Sequence, residues 1–282
     1  MTYFINLRAG PFGAVCSPYV LSGDALTADP QLTAVQSTTV PYLTKGKNVL
    51  LAAHGFNVSY VQGVWSLQHL ETALAIDPDK EVFFGVLWPG DWVVPAVNYP
   101  FEDGVASHAG KLLGGFCNSY LTGANSLSML SHSLGARVIL DAIKASQQRI
   151  RLACITAGAV NNDCLREEYA QAAANCDAFR TLSSRQDLVL ELAYPPGDLL
   201  ADALDPDHPP FEPALGRCGP AKPLPANVMA REIAPSPPYN HGNYFPPEAW
   251  TDPPLIPAGQ PDWRNAVSFM AAAFRGATPA WP

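Results

Sequence analysis

The run Asn48-Val49-Leu50-Leu51-Ala52-Ala53 is apolar without alternation, the mark of a parallel strand buried on both faces. Glu81 to Trp88, Ser126 to Ser131 and Ile150 to Ala157 have the same character, and Ala178 to Ser183 reads as a further strand. Between these runs the spacing becomes helical. Val61, Val64, Trp65, Leu67, Leu70 and Leu74 recur every three or four residues, which predicts a helix from about Ser59 to Ala75. Helices are likewise expected over Glu102 to Tyr120, Ser133 to Ser146 and Glu167 to Ala174, and an amphipathic one over Trp263 to Phe274. Tyr3 to Leu7 reads as a short strand, and Tyr19 to Val40 as irregular, edge-like chain. Strands alternating with helices imply α/β architecture, a mostly parallel sheet with helices on both faces.

Beyond Pro195 the pattern fades. Of the 28 prolines, 20 lie at or after Pro195, and the stretch from Pro195 to Pro261 offers only Val228 to Ile233 as a strand. A long irregular segment in an enzyme domain reads as a lid or pocket wall, against the plainer reading of a rigid surface wrap. With no internal repeat and no low-complexity linker, residues 1–282 are expected to form a single domain.

Composition narrows the function classes. The chain is 48% hydrophobic, 15% charged and net −8, without a basic run, which argues against nucleic acid and anionic membranes as partners. No apolar run is long enough to span a bilayer. Met1 to Arg8 does not resemble a signal peptide, so a cytoplasmic location is expected, although a mature secreted enzyme would look the same. The six cysteines form no C-x-x-C pair, so no metal site is expected. The default is reduced thiols, with a disulfide among Cys164, Cys176 and Cys218 as the alternative.

The chemistry centres on Ser131-His132-Ser133-Leu134-Gly135, at the junction of an expected strand and helix. A sharp strand-to-helix turn holds a serine hydroxyl above a parallel sheet, and it needs small neighbours because the backbones approach closely. Gly135 satisfies the G-x-S-x-G pattern, and Ser131 replaces its first glycine. A serine nucleophile requires a base and a group that orients the base. Of the histidines after Ser133, His241 lies in the turn-rich Asn240-His241-Gly242-Asn243 and is preferred as the base over His208. Asp187, following the strand Ala178 to Ser183, is preferred as the acid over Asp163, and its plainer reading is a helix N-cap. The amide of Leu134, with that of Phe56, preferred over Asn57, in the turn after the His54 strand, would hold an oxyanion. His54, Trp88, Ser133, Asn161 and Asp187 all fall at the carboxyl ends of strands, where one crevice can gather them. Asn57, Trp88, His132 and Tyr99 are candidates for lining the substrate pocket.

His54-Gly55-Phe56-Asn57, Trp88-Pro89, Tyr99 with Asp103, His132-Ser133-Leu134-Gly135, Asp187, and His241 with Tyr244 follow one another in order. In this the chain resembles a bacterial family of α/β-hydrolases of largely unassigned function, marked by an H-G-F-N oxyanion loop. The resemblance spans roughly Asn48 to Tyr244. It implies an α/β-hydrolase fold and a lipase- or esterase-like serine hydrolase, with Ser133, Asp187 and His241 as triad. The implied substrate is a small-molecule carboxylic ester, cleaved with no cofactor and no metal; oligomeric state is left open. The same triad serves amide hydrolysis or acyl transfer, and a non-catalytic binding module is the reading from another class.

Overall fold

The structure, a computed structural model, describes residues 1–10, 14–24, 26–91, 99–192, 213–256 and 258–281, with backbone alone for 99–103. Among the described residues there are nine strands: β1 (Thr2–Arg8), β2 (Val15–Gly23), β3 (Thr33–Val35), β4 (Asn48–Ala53), β5 (Glu81–Leu87), β6 (Ser126–His132), β7 (Ile150–Thr156), β8 (Cys176–Ser183) and β9 (Val228–Glu232). The helices are α1 (Val40–Thr44), α2 (Tyr60–Ala73), α3 (Tyr99–Tyr120), α4 (Gly135–Ala145), α5 (Ala170–Ala174), α6 (Leu188–Leu192), α7 (Leu215–Cys218) and α8 (Trp263–Phe274).

One sheet carries all nine strands in the order β3-β2-β1-β5-β4-β6-β7-β8-β9. β2 runs antiparallel to both its neighbours, and every other pairing is parallel. The chain leaves β4 towards β5 through α2, then returns over β4 to β6 through α3. Right-handed crossovers in opposite directions put their helices on opposite faces. So α2 covers one face, joined there by α8, while α3 and α4 pack together on the other. The reversal opens a crevice beyond the carboxyl ends of β4 and β6, the usual place for a ligand in such a sheet.

The centre of the sheet shows why the apolar runs lack alternation. Val49 to Ala53 and Met129 to Leu130 are fully buried, covered from both sides. On α4, Val138, Ile139, Ala142 and Ile143 are also fully buried. Each large aliphatic side chain removed from water in this way contributes roughly 1.5–3 kcal/mol. All six cysteines are free, so the Cys164, Cys176 and Cys218 disulfide does not form. Burial pushes the thiols of Cys117, Cys154 and Cys176 up to about 12.

The arrangement is an α/β-hydrolase fold. The sequence reading differs from it chiefly at the first edge. The stretch expected to be irregular from Tyr19 contains most of β2 and all of β3, which pair only with each other and with β1. Pro18 and the small polar residues around it suit an edge and hide the strand pattern. The last helix before β6 already includes Tyr99, ahead of the expected Glu102. Of the Pro-rich segment, α7 and β9 are built into the domain. Residues 193–212, among them the rival base His208, lie outside those described.

Candidate active site

Ser133 follows β6 directly and has φ of 56°, in the left-handed region that non-glycine residues seldom occupy. The surrounding hydrogen bonds hold it there. Its N–H donates to the Thr156 carbonyl at 3.1 Å, and its own carbonyl accepts from Ala136 at 3.0 Å and Ala159 at 3.1 Å. The turn is tight because Gly135 starts α4. A Cβ at Gly135 would run into the His54 carbonyl oxygen and lie 2.9 Å from that of Ala53. Ser131 is accommodated in the buried strand, with the Thr156 hydroxyl donating to its carbonyl at 2.9 Å. The missing first glycine has not widened the turn.

His241 opens a 3-10 turn, His241–Asn243, and reaches back to this serine across 108 residues. Its Nε2 lies 2.7 Å from Ser133 Oγ, and its Nδ1 lies 2.8 Å from Asp187 Oδ2. A carboxylate oxygen only accepts, so Nδ1 carries the proton and Nε2 presents a lone pair to the serine hydroxyl. Asp187 is fully buried and Ser133 is 5% exposed. The plainer reading of Asp187 also holds: its Oδ1 accepts from Leu190 N–H at 3.0 Å, capping α6. One carboxylate serves two elements. Asp163, the rival acid, has its carbonyl engaged with the Arg166 and Glu167 amides of its own turn.

Asn240 and Ser184 were not singled out from sequence, and they hold the loops together. Asn240 Oδ1 accepts from His241 N–H at 2.8 Å and Leu188 N–H at 3.1 Å, joining the histidine turn to α6. Ser184 donates to the Tyr239 carbonyl at 2.8 Å. The Asn240-His241-Gly242-Asn243 string was the one available signal, since asparagine favours such turn-capping bonds.

The turn after β4 lies against the serine. A Cβ on Gly55 would stand 2.9 Å from Ser133 Cβ and 3.0 Å from His132 Nδ1, so glycine is what permits the approach. Asn57 has φ of 59°, and its N–H donates to the Gly90 carbonyl at 2.6 Å. That amide is therefore engaged, whereas those of Phe56 and Leu134 have no acceptor among the described residues.

Two candidate pocket residues, Trp88 and His132, need correction. Trp88 is fully buried, stacked on His54 with ring centroids 5.7 Å apart, and its indole N–H donates to the His54 carbonyl at 2.8 Å. It is a core residue that braces the turn. Partly buried His132 faces the loop rather than the cleft: its Nε2–H donates to the His241 carbonyl at 2.8 Å, and its ring stacks on Phe245 at 5.4 Å. Tyr99 lies in the first turn of α3, and its side chain lies outside those described. Burial pushes the pKa of His132 down to about 3, with the adjacent His241 adding to the shift. His54 is also lowered to about 3, by burial first and then by Arg8. Its Nδ1–H donates to the Gly55 carbonyl at 2.8 Å. Both rings are neutral near pH 7, so neither places a second positive charge beside His241. Among the described residues no three His, Cys, Asp or Glu side chains converge as metal ligands, and no helix is long and apolar enough to cross a membrane.

A family model described as "Alpha/beta hydrolase of unknown function (DUF900)" matches residues 33–219. No curated protein matches the chain. Among solved structures, an esterase from Pyrobaculum calidifontis is similar at 13% identity and TM-score 0.43, over 84% of this chain and 79% of that one. Carboxyl esterase 2 from the fungus Tuber melanosporum is similar at 12% identity and TM-score 0.43, over 93% and 83%. A thermophilic esterase from Thermogutta terrifontis is similar at 9% identity and TM-score 0.37, over 84% and 86%.

Proposed function

The chain belongs to the α/β-hydrolase family of unknown function (DUF900), and on that premise we propose that it is a serine hydrolase cleaving carboxylic esters through an acyl-enzyme. The observation that carries this reading is the continuous relay Ser133 Oγ, His241 Nε2, His241 Nδ1, Asp187 Oδ2, with separations of 2.7 and 2.8 Å.

Ser133 Oγ attacks the ester carbonyl while its proton passes to His241 Nε2. The imidazolium that forms is stabilised by the Asp187 carboxylate already hydrogen-bonded to Nδ1. The carbonyl oxygen, now negative, is received by the amides of Leu134 and Phe56. Donors of this kind are worth about 10²–10³ in rate each, because they are already oriented when the charge develops. Collapse of the tetrahedral intermediate expels the alcohol, which takes the proton from Nε2. Water then attacks the acyl-enzyme, with His241 as base again, and releases the acid and free Ser133. Every step runs on these side chains and amides.

Fluorophosphonate labelling tests the reading, because an activated serine displaces fluoride from the reagent to form a phosphonate ester and an ordinary serine does not. One adduct on Ser133 is expected in the native protein and none in Ser133→Ala. A folded protein that takes no label is not a serine hydrolase. Initial rates on p-nitrophenyl esters should exceed those on matched anilides; faster anilide turnover would make the enzyme an amidase.

A further inference from the structure

Beside His241 runs a groove of about 370 Å³, lined by Val189 of α6, Pro247, Leu255, Ile256, Gln260 and Trp263. A volume of this size falls in the range of small-molecule sites, roughly 300–1,000 Å³. Its apolar side chains are left in contact with water: Leu255 is 76% exposed and Val189 45%. Trp263, by contrast, is 6% exposed, yet its indole N–H has no acceptor among the described residues.

The chemistry of the serine site says which part of a substrate belongs here. When the tetrahedral intermediate collapses, the proton on His241 Nε2 goes to the leaving oxygen, so that oxygen must lie within about 3.2 Å of Nε2. The alcohol side of an ester is therefore always on the histidine side of the serine. His241 itself lines the groove. We propose that this groove is the alcohol subsite, and that the enzyme prefers esters of apolar alcohols several carbons long over methyl esters. The proposal rests on the serine-hydrolase reading above and adds the substrate class to it. Among the described residues no Lys or Arg lines the groove, which suits a neutral alcohol portion rather than an anionic one.

The test varies the alcohol at a constant acyl group. On methyl, butyl and hexyl acetates, followed by acid release, kcat/KM should rise about tenfold or more from methyl to hexyl, since methylenes in an apolar site each add to binding. Leu255→Trp fills the groove from its exposed rim and should cut the hexyl-to-methyl ratio about tenfold. Val189→Trp, from the α6 side, should do the same, so the result does not hang on one variant folding. The butyrate-to-acetate ratio on methyl esters should stay within about twofold in both. A flat alcohol profile in the native enzyme, or a profile unmoved by both fillings, overturns the groove assignment while leaving the esterase reading intact. A fall in the acyl ratio instead makes the groove an acyl site and overturns it equally. Absence of hydrolysis on every ester overturns the esterase reading itself, and the groove assignment with it.

Discussion

Asp187 shows how one side chain can satisfy two readings at once, because its two oxygens go to different partners. Oδ1 caps α6 through Leu190 N–H, and Oδ2 meets His241 Nδ1. Asp187→Asn separates the two. Asparagine caps about as well as aspartate, so folding stability should stay within about 0.5 kcal/mol. An amide facing Nδ1 cannot stabilise an imidazolium, and it favours the wrong tautomer of His241, so kcat on a p-nitrophenyl ester should fall about 10³–10⁴-fold. Unchanged turnover with intact folding would remove Asp187 from the relay and return attention to Asp163. At the same scale the Asn57 amide is engaged with Gly90, whereas the amides of Phe56 and Leu134 have no acceptor among the described residues. From sequence Phe56 was the preferred donor and Asn57 the alternative, because neighbouring amides in one turn differ only in where the chain points them.

The strand-to-helix elements around Ser133 work because backbones meet almost without side chains between them. Gly135 lets the start of α4 lie on the carbonyls of Ala53 and His54 at the end of β4. Gly135→Ala places a methyl group against main chain that has no rotamer to change. It should cost about 1–3 kcal/mol in denaturant unfolding. It should also lower kcat/KM on esters, because α4 can relieve the clash only by carrying the Leu134 amide with it. An alanine variant with native stability and native rate would mean that the approach is looser than it looks. Element positions elsewhere followed the apolar runs closely: β4 matches the expected strand, and α8 the expected closing helix. β2 was missed because a strand next to the sheet edge, only partly buried and with Pro18 inside it, carries little of the pattern that marks a central one.

The two neutral histidines make the stability of the whole molecule depend on pH. His54 has a folded pKa of about 3 against an ordinary 6.5, so the unfolded chain binds more protons between those values. Stability is therefore full above pH 6.5 and falls as the pH drops through the window towards 3. A slope of up to about 1.4 kcal/mol per pH unit arises from His54 alone. His132 acts in the same direction, its folded pKa also lowered to about 3. Urea unfolding at pH 7, 6 and 5 should show this decline, and His54→Asn should remove about one proton from the uptake on unfolding. A pH-independent midpoint over that range would mean that His54 is charged, or reached by water, in the native protein.

The order of apolar runs determined the α/β class, because a strand covered on both faces has no polar positions to spare. The order of motifs placed a serine, an acid and a histidine at strand ends, where short loops can turn towards one crevice. Tertiary structure alone decided the rest. It set His241 against Ser133 across 108 residues and gave Asp187 its second partner. It also turned Trp88 and His132 from pocket candidates into supports, since burial and hydrogen-bond direction depend on which elements close over a side chain. The groove beside His241 is of that kind as well. Val189, Leu255 and Trp263 are far apart along the chain, and only the packing of α6 and α8 around the histidine turn brings them to one surface.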